Sequence, residues 1–121
     1  MLVVDDQAPF RIAARSVVRA TPGFEVHAEA TSGEEAVRAV EASPPDLVLM
    51  DINMEGIGGI EATRRITAAH PKVKVVLLST YEADDLPDDA RRCGAAAYVN
   101  KELFDPDMLE RVWSGEPGLG L

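Results

Sequence analysis

Leu47-Val48-Leu49-Met50-Asp51 is a run of four apolar residues that stops on a carboxylate, and the chain returns to this figure. Leu2–Val4 runs into Asp5 and Asp6, Val75–Leu78 into Ser79 and Thr80, and Ala95–Val99 into Asn100 and Lys101. These runs have strand length and no polar alternation, as expected of strands buried on both faces of a parallel sheet. Phe24–Ala28 is different: Phe24, Val26 and Ala28 alternate with Glu25 and His27, which reads as an edge strand with one wetter face.

Between the runs the apolar period becomes helical. Phe10, Ala13, Ala14, Val17 and Val18 form one stripe, stopped by Thr21-Pro22-Gly23. Thr31-Ser32-Gly33-Glu34-Glu35 reads as a helix start, with Ala36, Val37 and Val40 inside and Pro44-Pro45 as the end. Ile60, Thr63, Arg64 and Ile66 mark a third helix closed by His70-Pro71. A fourth is expected between Glu82 and Cys93, starting late or with an irregular first turn because Pro87 lies inside it. Met108, Leu109 and Val112 belong to a short last helix, with Asp105 as N-cap and Pro106 in first position. Five strands alternating with five helices predict an α/β fold: one doubly wound parallel sheet with helices on both faces.

At 121 residues the chain fits a single domain with one core. Twelve basic against 21 acidic residues give a net charge of −9, which argues against direct binding to nucleic acid. No apolar run approaches the roughly 18–20 residues of a membrane span. The single cysteine, Cys93, makes no intramolecular disulfide and fits a cytoplasmic setting. The closing GEPGLGL (115–121) has no period and reads as a tail or the start of a linker.

In an open parallel sheet, ligands bind outside the carboxyl ends of the strands. The polar residues that end the apolar runs therefore share one rim: Asp5, Asp6, Asp51, Ser79 and Lys101. Two like charges 4 Å apart repel by roughly 4 kcal/mol at an effective dielectric of about 20, so three carboxylates call for a cation. All-oxygen ligation points to Mg²⁺ or Mn²⁺ rather than zinc. Mg²⁺ takes one or two carboxylates and leaves positions for phosphate oxygens, Lys101 offers a charge to an anion, and Ser79 offers a hydroxyl. The chemistry indicated is phosphoryl transfer.

LVVDD (Leu2–Asp6), DLVLMDINM (Asp46–Met54), GGIEATRRI (Gly58–Ile66), VVLLST (Val75–Thr80) and GAAAYVNK (Gly94–Lys101) occur in the order of a known family. The chain resembles the receiver domain of two-component response regulators, and within it the NarL/FixJ type. The resemblance covers about residues 1–113 and leaves 114–121 as tail or linker. It implies a flavodoxin-like (βα)5 fold with strand order 2-1-3-4-5. It further implies that Asp51 receives a phosphoryl group from a sensor histidine kinase. Asp6 and Asp51 would ligate Mg²⁺ together with the Asn53 backbone carbonyl, and Asp5 would act through water. Ser79 and Lys101 would hold phosphoryl oxygens, and Tyr98 would be the aromatic that turns inward. A switched phosphoacceptor is implied rather than a turnover enzyme, with homodimers on phosphorylation and DNA reached only through an output domain absent from these residues.

Three departures from the family pattern bear on these expectations. Lys101 precedes Glu102 instead of the usual cis proline; a non-proline cis bond costs roughly 2.5–4 kcal/mol, so a different or looser hold on the lysine is expected. Met54-Glu55-Gly56-Ile57-Gly58-Gly59 lacks the family's proline, which should loosen the loop beside the site. Pro87 disturbs the fourth helix. Two other readings compete. One is a haloacid-dehalogenase type phosphatase, although Asn53 stands where its motif has a second carboxylate. The other is a pseudo-receiver that binds a partner without being phosphorylated. Taken singly, Asp5 and Asp6 would be turn formers, Tyr98 a core residue, Cys93 an inert buried thiol, and Asp84, Asp85, Asp88 and Asp89 a solvated helix start.

Overall fold

The computed structural model describes residues 1–82 and 85–115. Five parallel strands, β1 (Leu2–Val4), β2 (Ala28–Ala30), β3 (Leu47–Asp51), β4 (Lys74–Ser79) and β5 (Ala97–Asn100), form one sheet in the order β2-β1-β3-β4-β5. Four α-helices accompany them among the described residues: α1 (Ala8–Arg19), α2 (Gly33–Ala42), α3 (Gly58–Ala69) and α4 (Pro106–Ser114). The expected doubly wound sheet and its order are both present.

Strand alternation divides the core in two. Leu2, Val4, Val48, Met50, Val75 and Leu77 face one side, where Ala36 and Val40 of α2 and Ala62 and Ile66 of α3 cover them. Val3, Leu47, Leu49, Val76 and Leu78 face the other, under Ala14 and Val18 of α1 and Leu109 and Val112 of α4. Both faces of the central strands are thereby dry, which is why those runs show no alternation. Gly59 lets α3 begin hard against β3, since a Cβ there would overlap the Asp51 carbonyl oxygen. The helix starts behave as their sequences indicate. Ser32 Oγ accepts the Glu35 N–H (3.1 Å), Glu35 returns its carboxylate to the Thr31 N–H (3.1 Å), and Asp105 accepts the Met108 N–H (2.8 Å).

Two expectations need correction. The edge strand is Ala28–Ala30, not Phe24–Ala28. Phe24 and Val26 pack on the α1/α4 side, whereas Ala28 packs on the α2/α3 side, so the chain changes face before the regular strand starts. The fourth expected helix is not an α-helix: among the described residues of 82–93, Asp85 and Asp88–Arg91 have 3₁₀ conformation, the latter turn beginning after Pro87. Pro87 fixes where a helix may begin, and Gly94, at φ +93°, fixes where it must have ended. The six residues between them make fewer than two turns at about 3.6 residues per turn, too short to propagate an α-helix. The fold is therefore (βα)5 in its strand order with one α-helix replaced. The expected tail lies outside the described residues from position 116 onward, as does Asp84 of the acidic cluster. No described helix is long and apolar enough to cross a membrane.

Candidate functional site

The carboxyl ends of β1 and β3 put Asp5, Asp6 and Asp51 side by side, with one carboxylate oxygen from each within 4.8 Å of the others. Asp5 is fully buried and Asp51 nearly so, while Asp6 is exposed. Each buried carboxylate has an anchor. Asp5 accepts the Gln7 N–H through Oδ1 (2.8 Å) and binds Lys101 Nζ through Oδ2 (2.6 Å). Asp51 Oδ1 lies 3.4 Å from Lys101 Nζ and accepts the Asn53 N–H at 3.4 Å. Burial pushes the Asp51 carboxyl above its ordinary range and the Asp5 charge adds to the rise, with Lys101 and the Asn53 N–H opposing.

Lys101 enters from the end of β5 and is itself well covered, its side chain 14 % exposed. The ammonium lies 4.6 Å from the centre of the Phe10 ring, a cation–π contact beside its two ion pairs. Of the two outcomes expected for this lysine, the structure shows a different hold rather than a looser one. All described peptide bonds are trans, and the chain after Lys101 turns in a 3₁₀ segment (Lys101–Leu103) whose cap, Asn100, accepts the Glu102 N–H at 2.9 Å. A side-chain cap thus does the local work expected of a proline, and the ammonium meets two carboxylates.

With every group ionised, three carboxylates and one ammonium leave two formal negative charges in a largely buried cleft. Oxygen donors alone and a residual charge of two suit a hard divalent cation, so the residues fit Mg²⁺ or Mn²⁺. Asp6, exposed at the mouth, can meet an ion without first giving up a protein partner.

Ser79 and Tyr98 lie next along the rim. Asp51 pairs with Leu78 across β3 and β4, and Ser79 with Asn100 across β4 and β5. Ser79 is buried, and its Oγ accepts the Tyr81 N–H (3.2 Å) rather than facing a carboxylate. The Tyr98 ring is already inside: it is buried, and its hydroxyl donates to the carbonyls of Ser79 (3.2 Å) and Tyr81. Burial holds that hydroxyl's pKa above its ordinary value. Ser79, Tyr81 and Tyr98 therefore form one hydrogen-bonded unit beside the carboxylates. Cys93 is buried, its Sγ 3.3 Å from the Ala90 carbonyl oxygen, and burial raises its pKa, as befits an inert thiol.

Three contributors were not foreseen from sequence. Phe10 shows there only as one member of a helical stripe. Arg11 donates to the Asp5 carbonyl (2.7 Å) and pairs with Glu29 (3.4 Å), and nothing in its neighbourhood signals this. Glu34, on α2, accepts the Ile57 N–H of the loop after Asp51 (3.3 Å).

Comparison with known proteins adds an independent observation. A family model described as the response regulator receiver domain matches residues 1–113. The response regulator GacA of Pseudomonas viridiflava is 38% identical over 112 residues, which cover 93% of this chain and 52% of GacA. The transcriptional regulatory protein DegU of Brevibacillus brevis is 37% identical over 112 residues, covering 93% of this chain and 48% of DegU. Among solved structures, a LuxR-family two-component response regulator from Aurantimonas sp. SI85-9A1 superposes with a TM-score of 0.83 at 32% identity, over 93% of this chain and 81% of that one. The chain spans about half the length of the curated relatives it matches.

Proposed function

The chain belongs to the receiver-domain family of two-component response regulators, and on that premise we propose that Asp51 accepts a phosphoryl group from a sensor histidine kinase. Asp6, Asp51 and the backbone carbonyl of Asn53 would hold Mg²⁺ (or Mn²⁺), and Asp5 would act through water. When bound, the ion offsets negative charge on the phosphoryl oxygens. One observation carries this reading: three carboxylates converge within 4.8 Å with a single ammonium, leaving two negative charges at the rim.

The reaction asks the protein for position and charge more than for acid–base groups. An Asp51 carboxylate oxygen forms a bond to phosphorus as the phosphorus–nitrogen bond of the donor phosphohistidine breaks. The imidazole nitrogen keeps that bond's electron pair and takes up a proton. Lys101, 3.4 Å from Asp51, pairs with one oxygen of the new acyl phosphate. Ser79 Oγ turns to donate to another and gives up the Tyr81 N–H. Because Tyr98 is tied to both Ser79 and Tyr81 carbonyls, the loop after β4 moves with it. A local change of charge thus becomes a change of packing.

This is a signalling domain, switched once per phosphoryl group. Residues 1–113 make the receiver, α4 ends one residue beyond them at Ser114, and the expected tail or linker starts after it. In a longer cytoplasmic protein it would govern an output, transcription in the first instance, through a DNA-binding module and phosphorylation-linked homodimers. The likeness to DegU, a transcriptional regulatory protein, favours that output. The phosphatase alternative finds no support, since Asn53 replaces its second carboxylate and residues 1–113 match another family. Incubation with acetyl phosphate and Mg²⁺ separates them: a single slowly decaying adduct supports the phosphoacceptor, while rapid continuous phosphate release without an adduct refutes it. No adduct and no Mg²⁺ binding would leave the pseudo-receiver.

A further inference from the structure

The loop between β3 and α3 carries Asn53, and it is rich in glycine where stiffness would be expected. Gly56 and Gly58 both sit at positive φ, +82° and +77°, so the backbone itself has little resistance to other shapes. Met54 and Ile57 pack on the core and the Gly59 N–H donates to the Ile52 carbonyl (3.2 Å), and a further tie on this loop comes from α2. Glu34 lies in the first turn of that helix, and its carboxylate accepts the Ile57 N–H at 3.3 Å. The same carboxylate lies against the α-carbon of Gly56, where a Cβ would collide with both of its oxygens. One residue earlier, Gly33 lets the helix approach: a Cβ there would come within 2.7 Å of the Gly58 carbonyl oxygen and 2.9 Å of the Ile57 side chain. Gly33 and Gly56 are bare where α2 and the loop meet, and the contact ends in a charge-assisted hydrogen bond to the loop's backbone.

We infer that Glu34 is a positioning residue for the metal site, fixing the loop of Asn53 in the shape that presents its carbonyl to the cation. It touches neither the metal nor the phosphoryl group. Its effect runs through Ile57, four residues along the loop from Asn53. The inference rests on the metal-binding part of the proposed function. It also explains how a loop without the family's proline keeps its shape.

The test uses the whole chain as wild type, Glu34→Ala and Glu34→Gln. Glutamine keeps an oxygen that accepts the Ile57 N–H, and alanine does not. In metal-free protein, hydrogen exchange of the 52–58 segment should speed up by about 10-fold in Glu34→Ala and stay near wild type in Glu34→Gln, the size expected for one lost charged hydrogen bond. By calorimetric titration, the Mg²⁺ dissociation constant should rise about 3- to 10-fold in Glu34→Ala and return toward wild type in Glu34→Gln. Exchange of α2 itself should not change, which separates positioning from general loss of stability. Unchanged exchange and unchanged Mg²⁺ affinity in Glu34→Ala would overturn the inference, as would equal loss in both variants. The metal reading fails separately, if wild type binds no Mg²⁺ or if Asp51→Asn leaves binding intact; the exchange result on metal-free protein is independent of that outcome and decides whether Glu34 holds the loop.

Discussion

The crossover from β3 to β4 and the crossover from β4 to β5 cover the same side of the sheet by unequal means. The first spends its length on α3, which buries Ala62, Thr63 and Ile66 and carries an exposed cluster of Glu61 with Arg64 (2.7 Å) and Arg65 (2.9 Å). The second has no α-helix among its described residues and buries Leu86, Ala90 and Cys93 from irregular and 3₁₀ backbone. It also leans on the first: Thr67 of α3 donates to the Cys93 carbonyl at 3.0 Å, and Gly94 must be bare because a Cβ would meet Thr67. The three carboxylates and Lys101 stand at the ends of β1, β3 and β5, outside this asymmetry. A receiver can therefore keep its chemical rim whole while one crossover is pared down, and that crossover is the one joined to Ser79 and Tyr98.

Substitutions can sharpen or break the contrast. Ile66→Ala should cost the most, about 3–5 kcal/mol by urea denaturation, because α3 is held by its neighbours and the cavity cannot close. Leu86→Ala, at the rim of the same cluster and on a less regular backbone, should cost about 2 kcal/mol. Equal losses would mean that the two crossovers are equally built in. Thr67→Val should cost about 1 kcal/mol and should speed hydrogen exchange in the 88–93 segment more than in α3. If α3 loosens first, the proposed direction of support is reversed.

The smallest effect concerns pH. Burial holds the Tyr98 hydroxyl above its ordinary value of 10.0, and Glu82 adds to the rise, against the hydrogen bond to Ser79. The unfolded chain releases this proton first, so the contribution is whole below pH 10 and is lost as the pH climbs through the raised value. Tyr98→Phe should be less stable than wild type at neutral pH by about 1 kcal/mol and should close part of that gap above pH 10. A gap that widens with pH would contradict the buried neutral hydroxyl.

Much of the sheet and the chemical rim was legible in the sequence because both are local patterns. An unbroken apolar run implies a strand dry on both faces, and the polar residue that ends it must lie at the carboxyl rim. Asp5, Asp6, Asp51 and Lys101 fall together for that reason alone. What escaped depends on pairs of distant constraints. The fourth helix failed because Pro87 and Gly94 act from both ends, and either alone would have been tolerated. Phe24 and Val26 alternate correctly, but on the opposite face from Ala28, which no period reveals. Phe10 packs on the Lys101 ammonium from α1 and Glu34 holds the glycine loop from α2, each a contact across the fold with no spacing to announce it, while the Asn100 cap beside Lys101 is local.

The central claim is that Asp51 is the phosphoryl acceptor of this rim, and its most direct test is intact mass after incubation with phosphoramidate. Wild type with Mg²⁺ should gain the mass of one phosphoryl group, metal-free protein should gain none, and Asp51→Asn should gain none with or without Mg²⁺. A phosphoryl group retained by Asp51→Asn, or gained by wild type without a divalent cation, would contradict the account.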